Sequence, residues 1–232
     1  MINTIKKITQ HNWIAILYFN FKMLPFKQAI RLPFDFYYKI RFQCLKGKIY
    51  INPNVKLYRG IIKIGGRGSE MFPHNPTIIN LCKGGEIYLN GITEIGIGTY
   101  VYVGEKGKLI LGNRVRIGAI NKLYCLKEIN ISNEVDISWE SQIFDTNFHF
   151  MENMENKQIL EKDTPIKIGS YNWFGNRVNI MKGTQTPDHC IIASNSLCNK
   201  DYTNCPPFSL IAGSPAKFVK QGVRRLFEGV DL

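Results

Sequence analysis

From Ile97 to Cys198 a compact, mostly aliphatic side chain recurs every six residues, usually followed by glycine or another small residue. The first units are Ile97-Gly98, Val103-Gly104, Leu111-Gly112 and Ile117-Gly118. The series resumes at Ile131-Ser132, Ile137-Ser138 and Ile143, and again at Ile168-Gly169, Phe174-Gly175, Ile180, Thr186, Ile192-Ala193 and Cys198. Such a period means one short strand and one turn per unit, with three units closing one triangular coil of a parallel β-helix. The opener of each unit points inward and is expected to stack on its equivalent about eighteen positions away, at the ordinary strand spacing of about 4.8 Å. The small residue after it sits where a Cβ would crowd the turn. Steps of eight, from 103 to 111 and from 117 to 125, have the form of corner insertions. Val101, Val115, Val135 and Val178, four residues after openers, form a second apolar column. A sandwich also alternates apolar and polar residues, but it does not hold a period of six with small residues in phase.

The chain of 232 residues is long enough for one sizeable core with an appendage. We divide it into a helical N-terminal segment (1–46), a β-helix (47–217) with a loop expelled near 149–165, and a short C-terminal helix with its tail (218–232). Helices are expected around 10–23 and 27–43, broken by Pro25 and Pro33, and at Phe218 to Glu228. Strands between Gly47 and Gly91 read as irregular first coils. The polar stretch from Met151 to Asp163 does not suit a solenoid wall and is expected outside it.

Thirty Lys and Arg against 18 Asp and Glu leave a formal net charge of +12, which calls for an anionic partner. No basic tract of five residues and no zinc-finger or RNA-binding signature points to nucleic acid. The six cysteines, at 44, 82, 125, 190, 198 and 205, form no CxxC pair. Cys125 and Cys198 fall in inward columns, as reduced core residues of a cytoplasmic protein do. Lys6 and Lys7 precede an apolar run from Trp13 to Phe19 that is too short to span a bilayer and lacks a cleavage site. The N-terminal helices are expected to cap the open end of the solenoid. Their aromatics (Trp13, Phe19, Phe21, Phe34, Phe36, Tyr37, Tyr38) and cations (Lys22, Lys27, Arg31, Lys39, Arg41) also suit a peripheral contact at the inner membrane face.

Of the four histidines, His149 stands out. It ends Asp145-Thr146-Asn147-Phe148-His149, where the wall gives way to the loop, a place where a rigid scaffold can present an exposed general base. Asp145 is expected to orient the ring or to bind an acceptor hydroxyl, although a lone histidine is ordinarily surface decoration. His149 and His189 are forty residues apart, and His11 and His74 lie outside the regular coils. That spacing does not provide a zinc site, and no metal is expected.

The stretch Ile168 to Gly175, then Lys182-Gly183, Ile191 to Ser196, Asn199-Lys200-Asp201 and Leu210 to Lys217, resembles the C-terminal half of hexapeptide-repeat O-acetyltransferases that act on sugars. The Asp-Thr-Asn-Phe-His segment is similar to that family's catalytic-histidine segment. The resemblance covers about residues 95 to 220. It implies a left-handed β-helix, a homotrimer with sites between subunits, and acetyl-CoA as donor. It further implies direct transfer, in which His149 takes the proton of a sugar hydroxyl as it attacks the thioester. The amide of Asn176 would face the developing oxyanion, a role typically worth about 2.7–4 kcal/mol. In the same reading Trp173 and Gly175 border the thioester. Ala193 and Ser194 receive the pantetheine amides, Gly213 and Pro215 belong to the cofactor tail, and Lys200, Lys217 and Lys220 meet the CoA phosphates. The family's usual Gly-Ala-Gly-Ser run is here Ala193-Ser194-Asn195-Ser196, and Cys198 and Asn199 replace commoner residues before Lys200. The expected function is acetylation of a sugar hydroxyl in assembly of a bacterial surface polysaccharide. N-acetylation of an amino sugar and a non-catalytic glycan-binding scaffold are the alternatives.

Overall fold

The structure, a computed structural model, describes residues 10–66, 72 and 75–226. His74, Lys6, Lys7 and residues 227–232 lie outside the described residues. The chain winds into a prism with three parallel walls. The first wall stacks Phe34–Phe36, Ile62–Gly66, Thr93–Gly96, Val115–Ile117, Asp136–Ile137, Trp173–Phe174, Ile191–Ile192 and Ser209–Gly213. The second stacks Ile40–Leu45, Thr77–Leu81, Tyr100–Val103, Lys122–Cys125, Gln142–Phe144, Asn179–Met181 and Leu197–Cys198. The third is shorter and runs from Lys48–Ile51 through Glu86–Leu89, Lys108–Leu111 and Glu128–Ile131 to Ile166–Ile168.

Alternation along each short strand sends one side chain into the prism and the next outward. Ile117, Ile137, Phe174, Ile192 and Ile211 are all essentially buried in one axial column of the first wall, and Leu123, Ile143, Ile180 and Cys198 form its counterpart in the second. Each such aliphatic group removed from water contributes roughly 1.5–3 kcal/mol.

The register departs from the simple eighteen-residue coil. Ile95 pairs with Ile117, 22 positions on, Ile117 with Ile137 after 20, and Ile137 with Phe174 after 37, because the expelled loop intervenes. The spacing of eighteen holds in one later coil, from Phe174 to Ile192 and from Ile180 to Cys198. The opener of the first regular coil is therefore Ile95-Gly96, and Ile97-Gly98 lies at the corner after it, with Gly98 at φ +71°. Likewise Val101 aligns with Leu123 and Ile143, whereas Val178 lies at the corner before the second-wall strand. All four valines are buried, so burial alone did not distinguish their columns.

The described strands between 47 and 91 form the irregular first coils expected: Lys48–Ile51 runs parallel to Glu86–Leu89, but 38 positions separate the partners, and Ile62–Gly66 meets Thr93–Gly96 with a register shift between Ile64 and Gly66. At the N-terminus, helix α1 (Trp13–Met23) forms as expected, with Asn12 capping it through the Ala15 N–H. The second expected helix reduces to the single turn α2 (Phe26–Ala29). Beyond Pro33, Phe34–Phe36 and Ile40–Leu45 become the first strands of two walls, because their aromatic and β-branched residues suit strands and find parallel partners at Ile62–Gly66 and Thr77–Leu81. Phe19 of α1 packs on Phe34, Phe36 and Phe42, closing the apolar end of the prism. At the other end, the expected helix from Phe218 is instead part of the strand Ala216–Gln221, which folds back antiparallel on Ser209–Gly213 and covers the last edge of the first wall.

Candidate active site

Where the first wall turns into the second, the residues align in columns along the axis. One column is Gly118, Ser138, Gly175 and Ala193, whose N–H groups donate to the carbonyls of Ile137, Phe174, Ile192 and Ile211 in the following coil. Every member is small. A Cβ on Gly175 would lie 2.6 Å from Ser194 Oγ and 2.7 Å from the Ser194 backbone nitrogen, so the coils stack this closely only with glycine there. The next residues, Ala119, Trp139, Asn176 and Ser194, form the corner itself. The N–H groups of Trp139, Asn176 and Ser194 have no hydrogen-bond partner among the described residues. The residues after those, Ile120, Glu140, Arg177 and Asn195, all take φ between +57° and +60°, a conformation that turns the backbone sharply and leaves the preceding amides facing outward. Ser194 Oγ donates to Asn176 Oδ1 at 2.7 Å, and the Asn195 N–H donates to the Asn176 carbonyl at 3.0 Å, tying the last coils together.

The expected cofactor residues divide between two edges of the prism. Trp173, Gly175, Asn176, Ala193, Ser194 and Gly213 follow the edge between the first and second walls. Gly213 and Pro215 form the hairpin that leads into the final strand, where Lys217 pairs with Ala212 and Lys220 with Leu210, both lysines exposed. Lys200 lies elsewhere, just past the second-wall strand Leu197–Cys198, with Nζ 5.5 Å from the centre of the Tyr202 ring.

His149 belongs with that second edge. It is exposed and follows Phe148, whose ring packs against Tyr124 and Phe144 on the outside of the second wall. Beyond it the expelled loop forms a small hairpin, Met151–Glu152 against Ile159–Leu160. Its neck is fastened by an isolated bridge between Thr146 and Asp163 and by Lys127 Nζ, which donates to the Asp163 carbonyl at 3.1 Å. The histidine thus stands at a pinned point of an otherwise projecting loop. Within one chain, the second-wall strand Asn179–Met181 and the corners at its two ends lie between the start of this loop and Asn176.

Asp145 does not orient the ring. It is fully buried, and its two oxygens accept the backbone N–H groups of Leu126 at 2.8 Å and Lys127 at 2.7 Å. Burial pushes its carboxyl above the usual range, while those backbone bonds pull the other way. Its work is to hold the turn of the coil below, which also sets where the chain leaves the wall toward His149.

A cleft of about 630 Å³ lies on the outer face of the first wall and was not visible from the repeat. Its floor is an axial row of outward side chains, Lys63, Glu94, Arg116, Asp136 and Trp173, in register across successive strands. Lys63 bonds Glu94 at 3.2 Å; Arg116 grips Asp136 with Nε at 2.9 Å and a second, close contact; Arg225 from the C-terminal tail also contacts Asp136 and lies over the Trp173 ring. Trp173 Nε1 donates to Ser138 Oγ at 3.3 Å, and Trp139, Phe72 and Tyr37 contribute aromatic sides. The signal for this cleft was present as charged residues alternating with inward aliphatics, but its alignment needs the coil lengths of 22 and 20. Ala119 and Trp139 line the cleft and belong to the same axial column as Asn176 and Ser194, so cleft and open amides form one continuous track.

No family model matches the chain. A probable acetyltransferase of Mycobacterium tuberculosis is 29% identical over 164 residues, which are 63% of this chain and 52% of that protein. A Staphylococcus aureus (strain MRSA252) protein named as an acetyltransferase is 36% identical over 75 residues, 32% of this chain and 34% of its own. The chain thus spans about half or less of the length of these curated relatives. Among solved structures, the polySia specific acetyltransferase NeuO superposes with a TM-score of 0.61 at 20% identity, covering 86% of this chain and 82% of the other. The fold is a left-handed parallel β-helix, and in both sequence and architecture the chain resembles the hexapeptide-repeat acetyltransferases.

Proposed function

We propose that this protein is an acetyl-CoA-dependent O-acetyltransferase that modifies a sugar hydroxyl, in the cytoplasm, during assembly of a bacterial surface polysaccharide. The observation that carries the reading is the row of unpaired N–H groups at Trp139, Asn176 and Ser194, running beside small residues and ending at the Lys217 and Lys220 strand. An extended pantetheine arm has amide carbonyls to offer such a row, and the lysines suit its phosphates. The donor's thioester would then lie beside Trp173 with the Asn176 N–H against its carbonyl oxygen. The acceptor would occupy the adjoining cleft, where charged forks and aromatic faces suit hydroxyls and pyranose rings respectively. The acceptor specificity in the name of the similar solved structure supports a glycan.

His149 would supply the general base. Its place on the other edge of the prism requires that it reach the donor track of a neighbouring copy, which supports a cyclic trimer with three sites between subunits. In the step itself the imidazole accepts the hydroxyl proton, the sugar oxygen attacks the thioester carbonyl, and the negative charge gathers on the carbonyl oxygen at the Asn176 amide. Collapse then expels the CoA thiolate, which takes up the proton held by the imidazole.

The test needs no knowledge of the acceptor. Acetyl-CoA at 100 times its dissociation constant should stabilise the protein by about 2.7 kcal/mol in a thermal unfolding series. A saturable shift that ATP does not reproduce is expected; no shift with acetyl-CoA would contradict the donor assignment.

A further inference from the structure

Helix α1 is apolar on two sides but covered on only one. Ala15, Ile16, Phe19 and Asn20 face the protein, whereas Trp13, Ile14, Leu17, Tyr18 and Phe21 are exposed, Ile14 at 85%. The patch continues into the next turn through Phe21 and Phe26, whose rings lie 6.1 Å apart, and on to Ile30, with Phe26 71% exposed. A helix apolar all round is normally enclosed by an apolar environment on every side. Here the exposed side is held rigidly: Asn20 Nδ2 donates to the carbonyls of Ile16 and Phe34, its Oδ1 accepts the Phe34 N–H, and the whole side chain is buried.

The charged residues of α1, α2 and the turn after them are all cations. Lys22, Lys27 and Arg31 are exposed, Lys22 lies over the Tyr18 ring at 5.3 Å, and Arg59 lies over Trp13 at 4.3 Å. No Asp or Glu precedes Asp35, which is buried and bonded to His11 at 2.8 Å. A second copy docking the same face would set cations against cations. No described helix is long and apolar enough to cross a membrane. We propose that α1 and α2 seat the protein on an anionic phospholipid bilayer. The exposed aromatic and aliphatic side chains would enter the boundary between headgroups and acyl chains, with the cations among the lipid phosphates. This surface is separate from the donor track, so it stands or falls independently of the catalytic reading.

The experiment is flotation of the full chain with vesicles of phosphatidylcholine alone or mixed with phosphatidylglycerol. Binding to the mixed vesicles is expected to be at least about tenfold tighter, with each removed cation costing about fivefold. Two double variants, Ile14→Ser with Phe26→Ser and Lys22→Glu with Lys27→Glu, should each abolish flotation while thermal unfolding and oligomeric mass stay unchanged. Should the apolar pair fail to fold, the charge-reversal pair carries the test. Lack of binding to mixed vesicles, binding that survives both double variants, or variants that change the oligomeric mass and not the flotation would overturn the proposal. The last result would assign the face to a second copy of the chain.

Discussion

Two edges of the same prism are built by opposite rules. Along the edge between the first and second walls, small residues recur coil after coil, the corner turns through a repeated positive φ, and amide groups are left open in a row. The edge beyond the second wall accepts insertions: it carries Gly104 to Gly107 in one coil and the whole 149–165 loop in a later one. Close stacking suits the first edge to holding a long, regular ligand, because every coil repeats the same spacing. Tolerance of insertions suits the second to presenting one side chain, His149, away from the wall. On the proposed reading one chain would carry two half-sites facing different directions, and a closed ring of copies would be the simplest way to join them.

The largest effect is expected from the second edge. His149→Ala should lower turnover by about 10²–10⁴-fold, the usual contribution of a general base, while acetyl-CoA still stabilises the protein. Unchanged turnover would remove His149 from the chemistry. On the first edge, Gly175→Val should do the reverse and abolish the acetyl-CoA stabilisation, because the new side chain collides with Ser194. Retained donor binding, measured by the same thermal shift, would mean that the track lies elsewhere. In the cleft, Asp136→Asn releases Arg116 and Arg225 from their shared carboxylate. Loss of a charged hydrogen bond is typically worth about 1.5–3 kcal/mol, so the acceptor KM should rise about 10- to 100-fold with donor affinity unaltered. Steady-state kinetics with the acceptor varied would show this.

Asp145 sharpens the contrast from the side of stability. Asp145→Ala leaves the part-buried Leu126 and Lys127 N–H groups without their acceptor, at a cost of about 1–3 kcal/mol in chemical denaturation. A variant as stable as the parent would return Asp145 to the list of candidates for a direct role at His149.

The sequence was most legible where the physics is repetitive. An inward aliphatic followed by a small residue reports a solenoid directly, and Phe174-Gly175 and Ile192-Ala193 are in their expected frame because that coil alone has eighteen residues. Ile97-Gly98 was displaced by two, since a corner that also contains an aliphatic and a glycine looks the same as a wall when only the period is read. Asp145 was misread for a related reason: spacing from His149 cannot show that two backbone N–H groups of another coil already occupy its oxygens. The Lys63, Glu94, Arg116 and Asp136 row was invisible because alignment of outward residues depends on unequal coil lengths. The strands at Phe34–Phe36 and Ala216–Gln221 were read as helix although their aromatic and β-branched residues suit strands, and long-range sheet pairing decides them.

The division into two half-sites is most directly tested by mixing two inactive proteins. His149→Ala and Gly175→Val chains are co-expressed or refolded together, and acetyl transfer is measured on the mixture. If each site takes its histidine from one copy and its donor track from the next, random assembly should restore about a quarter of the parental activity, since half of the copies offer each intact half. No recovery from mixed oligomers that light scattering shows to have formed would mean that both halves must come from one chain, contradicting the account.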